Sequence, residues 1–391
     1  MREGTELAAE PRVRLAICTD AWEAGGGAER VLFTLLSGLD RERFEPVVFA
    51  LFSRSVKPTF LTAAADELGV RVVSLRLSPG LRLGLIRDLA RFLGELGRGR
   101  FAAVHGSADR GLGVIAGRLV GIPVRIETIH NTFARRSKVE YWLRLVSLRW
   151  FATTVAAVSR ATAQVLRDDY GVSPAKLIVV LNGVDDSVLL RGRSPAVAGS
   201  REGGARILTV ARLVREKRLD LLIEAFALVA GEIEGAELDI VGDGPLRLDL
   251  EEQARALGLS RQVTFHGRRD EIGEYLLAAD VFALTSRSEG LGVAAIEAMA
   301  VSKPVVCSTA GGLPEVVLDG ETGLLVTLGG GRRADAVEMA AAILTLLTDP
   351  ALARRMGRAG RRRFEEVFSV AAFVSKYESL YRGLQPSDKG P

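Results

Sequence analysis

The sequence predicts an α/β chain folded as two doubly wound domains, each built on a parallel sheet. Short β-branched and apolar runs alternate with helical patterns from end to end, as they do where a parallel sheet is covered on both faces. At 391 residues the chain is too long for one compact core, which favours two domains of roughly 200 residues each. Between them the stretch 191–204, RGRSPAVAGSREGG, is rich in Gly, Ser, Pro and Arg and lacks apolar periodicity, as a linker does. The expected division is 1–195 and 196–369, with a last helix at about 370–385 placed to pack back on the first domain.

The first domain opens with RVRLAIC (Arg12–Cys18), a short buried strand. A Gly-rich turn and an amphipathic helix follow in TDAWEAGGGAERVLFTLLSGL, where Gly25, Gly26 and Gly27 let the backbone pass close to a ligand. Further strands are expected at FEPVVFALF, VRVVSL, AAVHGS, PVRIETIHN, TTVAAVS and KLIVVLNGV, with helices at LGLIRDLARFLGELGR and ATAQVLRDDYG. Ligands of such sheets gather at the carboxyl ends of the strands, where the Gly triplet, His105, His130 and Asn182 are expected. The pattern restarts with RILTVAR, a helix from about Lys217, AELDIVGDGP, VTFHG, DVFALTS, a further helix, KPVVCS and GLLV. The helical stretches ADAVEMAAAILTLLTDP and AFVSKYESLYRGL close the chain.

Apolar content of 48% with 26% charged residues is that of an ordinary globular protein. Cys18 and Cys307 end strand-like runs and read as free, buried thiols, since two distant cysteines form neither a metal site nor a disulfide framework. MREGTELAAEPRVR has no apolar stretch and no run of about 18 apolar residues occurs, so a cytoplasmic protein is expected. The net charge of +4 is unevenly shared: residues 1–195 carry 28 Lys+Arg against 20 Asp+Glu, and the rest 24 against 28. Either the first half meets an anionic partner, or its arginines are simply solvated. The segment FARRSKVEYWLRLVSLRWF, Phe133–Phe151, interleaves basic and aromatic side chains. One reading puts Arg135–Trp150 on an anionic membrane surface; the other packs a helix on the sheet through Leu143, Val146 and Trp150. Nucleic acid is not expected, because neither stacking aromatics nor a strongly basic balance is present.

The chemistry concentrates in SRSEGLGVAAIEAMAVSKPVVCSTAGGLPEVV, Ser286–Val317. Glu289 falls in a Gly-flanked turn at a helix start, where the N–H groups of Gly290, Leu291 and Gly292 suit an anion. Glu297 falls on the helix itself, so the pair fits a ligand that is both phosphorylated and rich in hydroxyls. Arg212 ends the first strand of the second domain and Lys217 sits at the next helix start, two cations suited to a diphosphate. GDGP, with Gly242 and Gly244, lies at a neighbouring strand end. No GxGxxG turn occurs at either domain opening, which argues against a nicotinamide dehydrogenase.

VARLVREKRLDLLIEAF, VGDGPLR, EGLGVAAIE, GGAER and NGVD together resemble the family-4 retaining glycosyltransferases, most strongly over residues 206–326. The resemblance implies the GT-B fold, two Rossmann-like domains facing across a cleft, the first on the acceptor side and the second holding a nucleotide-sugar. It implies that Arg212 and Lys217 bind the donor diphosphate, approached from the other domain by Gly26 and Gly27. It puts Glu289 on sugar hydroxyls with Gly290–Gly292 close by, Glu297 on the ribose, and His130 near the anomeric centre. Asn182, Gly242 and Gly244 join the binding set, His105 is a weaker candidate, and His266 is structural or near the base. Two departures stand out: Arg218 follows Lys217 where relatives commonly have Gly, and Gly106–Ser107 replace a second aromatic or His.

The implied reaction moves a hexose from a UDP- or GDP-sugar to a saccharide or to a polyprenyl- or lipid-linked saccharide, as in cell-surface polysaccharide or glycolipid synthesis. No Asp-x-Asp occurs, so no metal is expected, and leaving-group charge falls to Arg212, Lys217 and helix dipoles. No carboxylate stands out as a covalent nucleophile, so front-face displacement is expected, the departing phosphate taking the acceptor proton. The alternatives are a nucleotide-sugar epimerase, a glycogen-type enzyme on the same fold, or a non-catalytic nucleotide-sugar-binding module.

Overall fold

A computed structural model of the chain describes residues 12–19, 27–52, 65–75, 77, 83–130, 138–191 and 204–383. Two compact units emerge. The first comprises Met1–Ala157, Leu166–Ile178 and Val374–Pro391, and the second Val158–Val165 and Val179–Phe373.

The first unit carries a seven-stranded sheet. Its strands are β1 (Val13–Thr19), β2 (Phe44–Ala50), β3 (Arg71–Ser74), β4 (Ala103–Ser107), β5 (Val124–Ile129), β6 (Thr154–Ala157) and β7 (Leu177–Val179), ordered β3-β2-β1-β4-β5-β6-β7. The register of β1 with β2 and β4, and of β5 with β4 and β6, is parallel, as the β-branched, two-face-buried sequences require. The helix Leu83–Arg98 covers the predicted segment end for end. Apolar side chains of Ala16, Cys18, Val47, Phe49, Phe92 and Val104 pack into one core.

The second unit has a six-stranded sheet of β8 (Arg206–Val210), β9 (Glu237–Val241), β10 (Val263–Gly267), β11 (Val281–Leu284), β12 (Val305–Ser308) and β13 (Gly323–Val326). Its order, β10-β9-β8-β11-β12-β13, repeats the pattern of the first sheet, again with parallel pairing. Successive residues of β11 fall into different cores. Val281 and Ala283 join Ile207, Leu238 and the helix Leu219–Glu232, while Phe282 and Leu284 join Leu208 and the helix Val293–Ala300. Strand alternation thus covers both faces of the sheet with helices. Cys18 and Cys307 are both free and buried.

The last helix, Val370–Tyr381, crosses the division, with Phe373 in the second unit and Val374 onward in the first. Its Tyr377 and Tyr381 are buried, and their hydroxyls bond to Thr128 Oγ1 (2.6 Å) and His105 Nδ1 (2.7 Å).

Two expectations need correction. His105 is not at a strand end: it is the middle residue of β4, opposite Ile17 and Ile126. Trp150 does not pack the basic–aromatic segment onto the sheet. The helix Lys138–Val146 runs into a π-turn, Ser147–Phe151, whose wider winding slips the register. Leu145 and Leu148 are buried instead, while Trp142 and Trp150 are 61% and 75% exposed. No single helix among the described residues is long and apolar enough to cross a membrane.

Candidate active site

In both sheets the strand order reverses direction beside the first strand, at β1/β4 and at β8/β11. Loops leaving the carboxyl ends of such a pair splay apart and leave room for a ligand. In the second unit these are the Arg212–Arg218 and Thr285–Gly292 loops, and their side chains stitch them together. The Thr285 hydroxyl lies 3.0 Å from the Lys217 carbonyl and 2.8 Å from that of Arg218. Arg287 N donates to Glu216 O at 2.7 Å. Lys217 Nζ forms an ion pair with Glu289 Oε1, which also accepts from Ser286 Oγ at 2.8 Å. Ser308 Oγ in turn donates to the Ser286 carbonyl at 2.5 Å. Lys217 and Glu289 are therefore in direct contact. Arg212 is exposed on the same loop, two residues beyond β8.

Close backbone approach explains the glycines. A Cβ on Gly242, whose φ is 139°, would fall 1.8 Å from the Ala211 carbonyl oxygen, so GDGP packs directly beneath the Arg212 loop. Gly244 similarly meets Leu213 O at 2.5 Å. Gly311, with φ of 54°, has the carbonyl of Glu289 1.9 Å from its would-be Cβ, and Gly312 N donates to that carbonyl at 3.2 Å. Gly292 (φ 97°) precedes the helix Val293–Ala300. Glu297 and Leu291 are buried, as is Asn182, whose Oδ1 has no hydrogen-bond partner among the described residues. His266 Nε2 lies 2.6 Å from Asp239 Oδ1, with its ring edge-on to Tyr275, an anchor within the fold.

At Arg218, where the family resemblance leads to an expectation of Gly, the backbone is one that suits Gly. Its φ of 49° and ψ of 40° are left-handed, a conformation costing a non-glycine residue about 1 kcal/mol. The loop keeps its turn despite the substitution, with Arg218 Nε bonded to Asp220 Oδ1 at 3.2 Å.

In the first unit, β4 and β5 place Ser107 and His130 side by side, with Ser107 Oγ 2.9 Å from His130 Nε2. Burial, reinforced by the nearby Arg144 guanidinium, lowers the His130 pKa to about 4, so the ring is neutral at pH 7. Its Nδ1 is buried without a hydrogen-bond partner among the described residues. His105 is lowered to about 3, by burial and then by His130; it bonds to Tyr381 and Thr128 and stacks on Tyr377 at 5.0 Å. It is a core histidine. Gly27 begins the helix Gly27–Gly38, and Gly26 lies outside the described residues.

Some of this was not read from the sequence. Glu127, on β5, is buried, accepts from Ser147 Oγ and pairs with Arg144 at 3.6 Å. Burial, then the Asp109 charge, push its carboxyl upward, opposed by Arg144 and Ser147. Alternation of inward and outward positions along RIETI was the available signal. Ser159 and Glu315, which brace the glutamate loop, left only the AVSR strand end and the GGLPEVV turn as signals.

Two parallel sheets wound in the same order, the second with a Lys–Glu pair and glycine-lined backbone at its switch point, define a GT-B glycosyltransferase. Family comparisons agree: residues 25–188 match Glycosyltransferase Family 4 and residues 191–363 match Glycosyl transferases group 1. The chain is 33% identical over 307 residues to MMP alpha-(1->4)-mannosyltransferase of Mycolicibacterium hassiacum, covering 73% of this chain and 71% of that protein. N-acetyl-alpha-D-glucosaminyl L-malate synthase of Bacillus anthracis is 31% identical over 222 residues, 56% of this chain and 57% of that one. The chain thus spans little more than half the length of that second relative. Among solved structures, Anabaena HepE in complex with UDP and glucose superposes with a TM-score of 0.81 at 22% identity, over 95% of this chain and all of that one. This chain belongs to family 4 of the glycosyltransferases.

Proposed function

We propose that the chain is a retaining hexosyltransferase, moving a hexose from a UDP- or GDP-sugar to a saccharide or a polyprenyl- or lipid-linked saccharide in cell-surface glycan synthesis. The Lys217–Glu289 ion pair at the switch point of the second sheet carries this reading. It sets an amine suited to a diphosphate beside a carboxylate suited to sugar hydroxyls, with the Gly290–Gly292 backbone next to both. Arg212 adds an exposed cation, Glu297 takes the ribose hydroxyls, and Gly242 and Gly244 hold the Arg212 loop down. The family resemblance adds Asn182 to the binding set, His130 near the anomeric centre, and Gly26 and Gly27 at the diphosphate. A mannosyltransferase among the relatives, and a neighbour bound to UDP and glucose, support a nucleotide-sugar donor.

In the reaction the bond from C1 to the phosphate oxygen breaks while the acceptor oxygen bonds to C1 from the same face. The acceptor proton goes to the departing phosphate, so the products are the glycoside and a nucleoside diphosphate. Lys217 and Arg212 neutralise the leaving group, and the absence of an Asp-x-Asp pair supports action without a metal. The exposed Trp142 and Trp150 support peripheral attachment at the cytoplasmic face of an anionic membrane, although Arg144 turns inward to Glu127.

Thermal stabilisation and slow hydrolysis measured with UDP-, GDP- and ADP-sugars in the presence of a chelator test the proposal. Stabilisation by one donor class and release of its nucleoside diphosphate are expected. If no nucleotide-sugar binds, the reading fails; if activity vanishes with the chelator, the metal-free part of it does.

A further inference from the structure

Between two stretches of the first unit the chain enters the second for only Val158–Val165. The polar groups at the start of this strap go to two loops. Ser159 Oγ donates to the Gly290 carbonyl at 2.6 Å, and Thr162 Oγ1 reaches the same oxygen at 3.3 Å. The N–H groups of Arg160 and Ala161, at the start of the helix Arg160–Asp168, donate to the two carboxylate oxygens of Glu315 at 2.8 and 2.9 Å. Glu315 belongs to the turn Leu313–Val316 just after Gly311 and Gly312, and Arg363 fixes that turn by donating to the Glu315 and Val316 carbonyls. Ser159 is completely buried, and a Cβ on Gly312 would lie 2.9 Å from its Cβ and 2.4 Å from Gly290 O.

A trans peptide is planar, so its carbonyl and its N–H point in opposite directions. Holding Gly290 O against Ser159 therefore aims the Leu291 N–H away from the strap. Holding Glu289 O on Gly312 N, in the turn that Glu315 and Arg363 brace, likewise aims the Gly290 N–H away from Gly312. We propose that Ser159 and Glu315 are positioning residues, the strap fixing the aim of the Gly290 and Leu291 N–H groups toward the donor diphosphate and sugar. The inference rests on the donor site proposed above. Its consequence is kinetic: preset N–H groups act most strongly on the charge that develops as the diphosphate departs.

The test compares wild type with Ser159→Ala, Thr162→Val and Glu315→Gln. Hydrolysis of UDP-glucose and GDP-mannose is followed by diphosphate release, and UDP or GDP binding by titration calorimetry. In Ser159→Ala, kcat should fall about tenfold, with nucleoside diphosphate affinity weakening in parallel and donor KM nearly unchanged. Thr162→Val, whose bond is longer, and Glu315→Gln should show smaller losses in the same direction. A merely structural role would lower melting temperature and binding stoichiometry but leave kcat per folded site and Kd at wild-type values, and that result overturns the proposal. If Ser159→Ala does not fold, Glu315→Gln decides by the same readouts. Wild type inactive and unable to bind across UDP-, GDP- and ADP-sugars would overturn the donor site and this inference with it. Active wild type with indistinguishable variants would overturn the strap alone.

Discussion

Two histidines of the first unit, His105 fully buried and His130 half-buried, cost the fold stability in acid, while the buried Glu127, whose carboxyl is pushed upward, acts in the opposite sense. His130 and His105 are held neutral in the fold, with pKa values lowered to about 4 and about 3, against an ordinary 6.5. Between pH 6.5 and 4 these two side chains take up protons in the unfolded chain but not in the fold, so their contribution to stability falls as pH falls through that window and is fully present above it. For His130 the linkage is worth about 3 kcal/mol. Urea unfolding at pH 7.5, 6 and 5 reads this contribution by comparison: His130→Gln should lose less stability over that range than wild type, with His105 keeping its own share. The partners facing His130 are Ser107, Arg144 and His105; the same loss between pH 7.5 and 5 in His130→Gln as in wild type would mean the ring is not held neutral.

At the scale of elements, the donor-side loops depend on close backbone contact. Gly311→Ala forces a side chain onto the Glu289 carbonyl and a left-handed backbone onto alanine. A loss of at least about 1 kcal/mol of stability is expected, with weaker donor binding because the Glu289 loop must shift; thermal denaturation and donor titration check both. Periodicity made the strands and the helix Leu83–Arg98 legible, and the order of motifs made the Glu289 loop legible. Three features lay beyond that reading. The π-turn at Ser147–Phe151 changes register without a breaker residue, so Trp150 could not be placed outward from helical spacing. His105 reads like a strand-end residue in AVHGS, but its position is set by pairing with β1 and β5. The bonds from Ser159 to Gly290, and from Glu315 to Arg160 and Ala161, join residues more than a hundred positions apart, which local pattern does not record.

At the scale of the whole molecule, the last helix belongs to both units. Tyr377 and Tyr381 finish the core of the first unit, bonded through Thr128 and His105 in a continuous buried chain. Tyr377→Phe keeps the ring against His105 but removes the bond to Thr128, at an expected cost of about 1 to 2 kcal/mol. Tyr381→Phe should cost a similar amount, and the double variant should depart from additivity because both bonds share one network. Equilibrium unfolding of the three variants reads this directly. The exposed Trp142 and Trp150 test the membrane contact proposed above: if it forms through them, replacing both by Ala weakens sedimentation with anionic vesicles and leaves donor hydrolysis intact.

In the function proposed above, the second unit binds a nucleotide-sugar with Glu289 on the sugar and the diphosphate held beside it. Titration calorimetry of wild type and Glu289→Ala, each with a nucleotide-sugar and with the matching free nucleoside diphosphate, tests it most directly. Glu289→Ala should keep its affinity for the free diphosphate within a few-fold, lose the added affinity for the sugar conjugate, and lose turnover. Wild-type sugar binding and wild-type turnover in Glu289→Ala would contradict it.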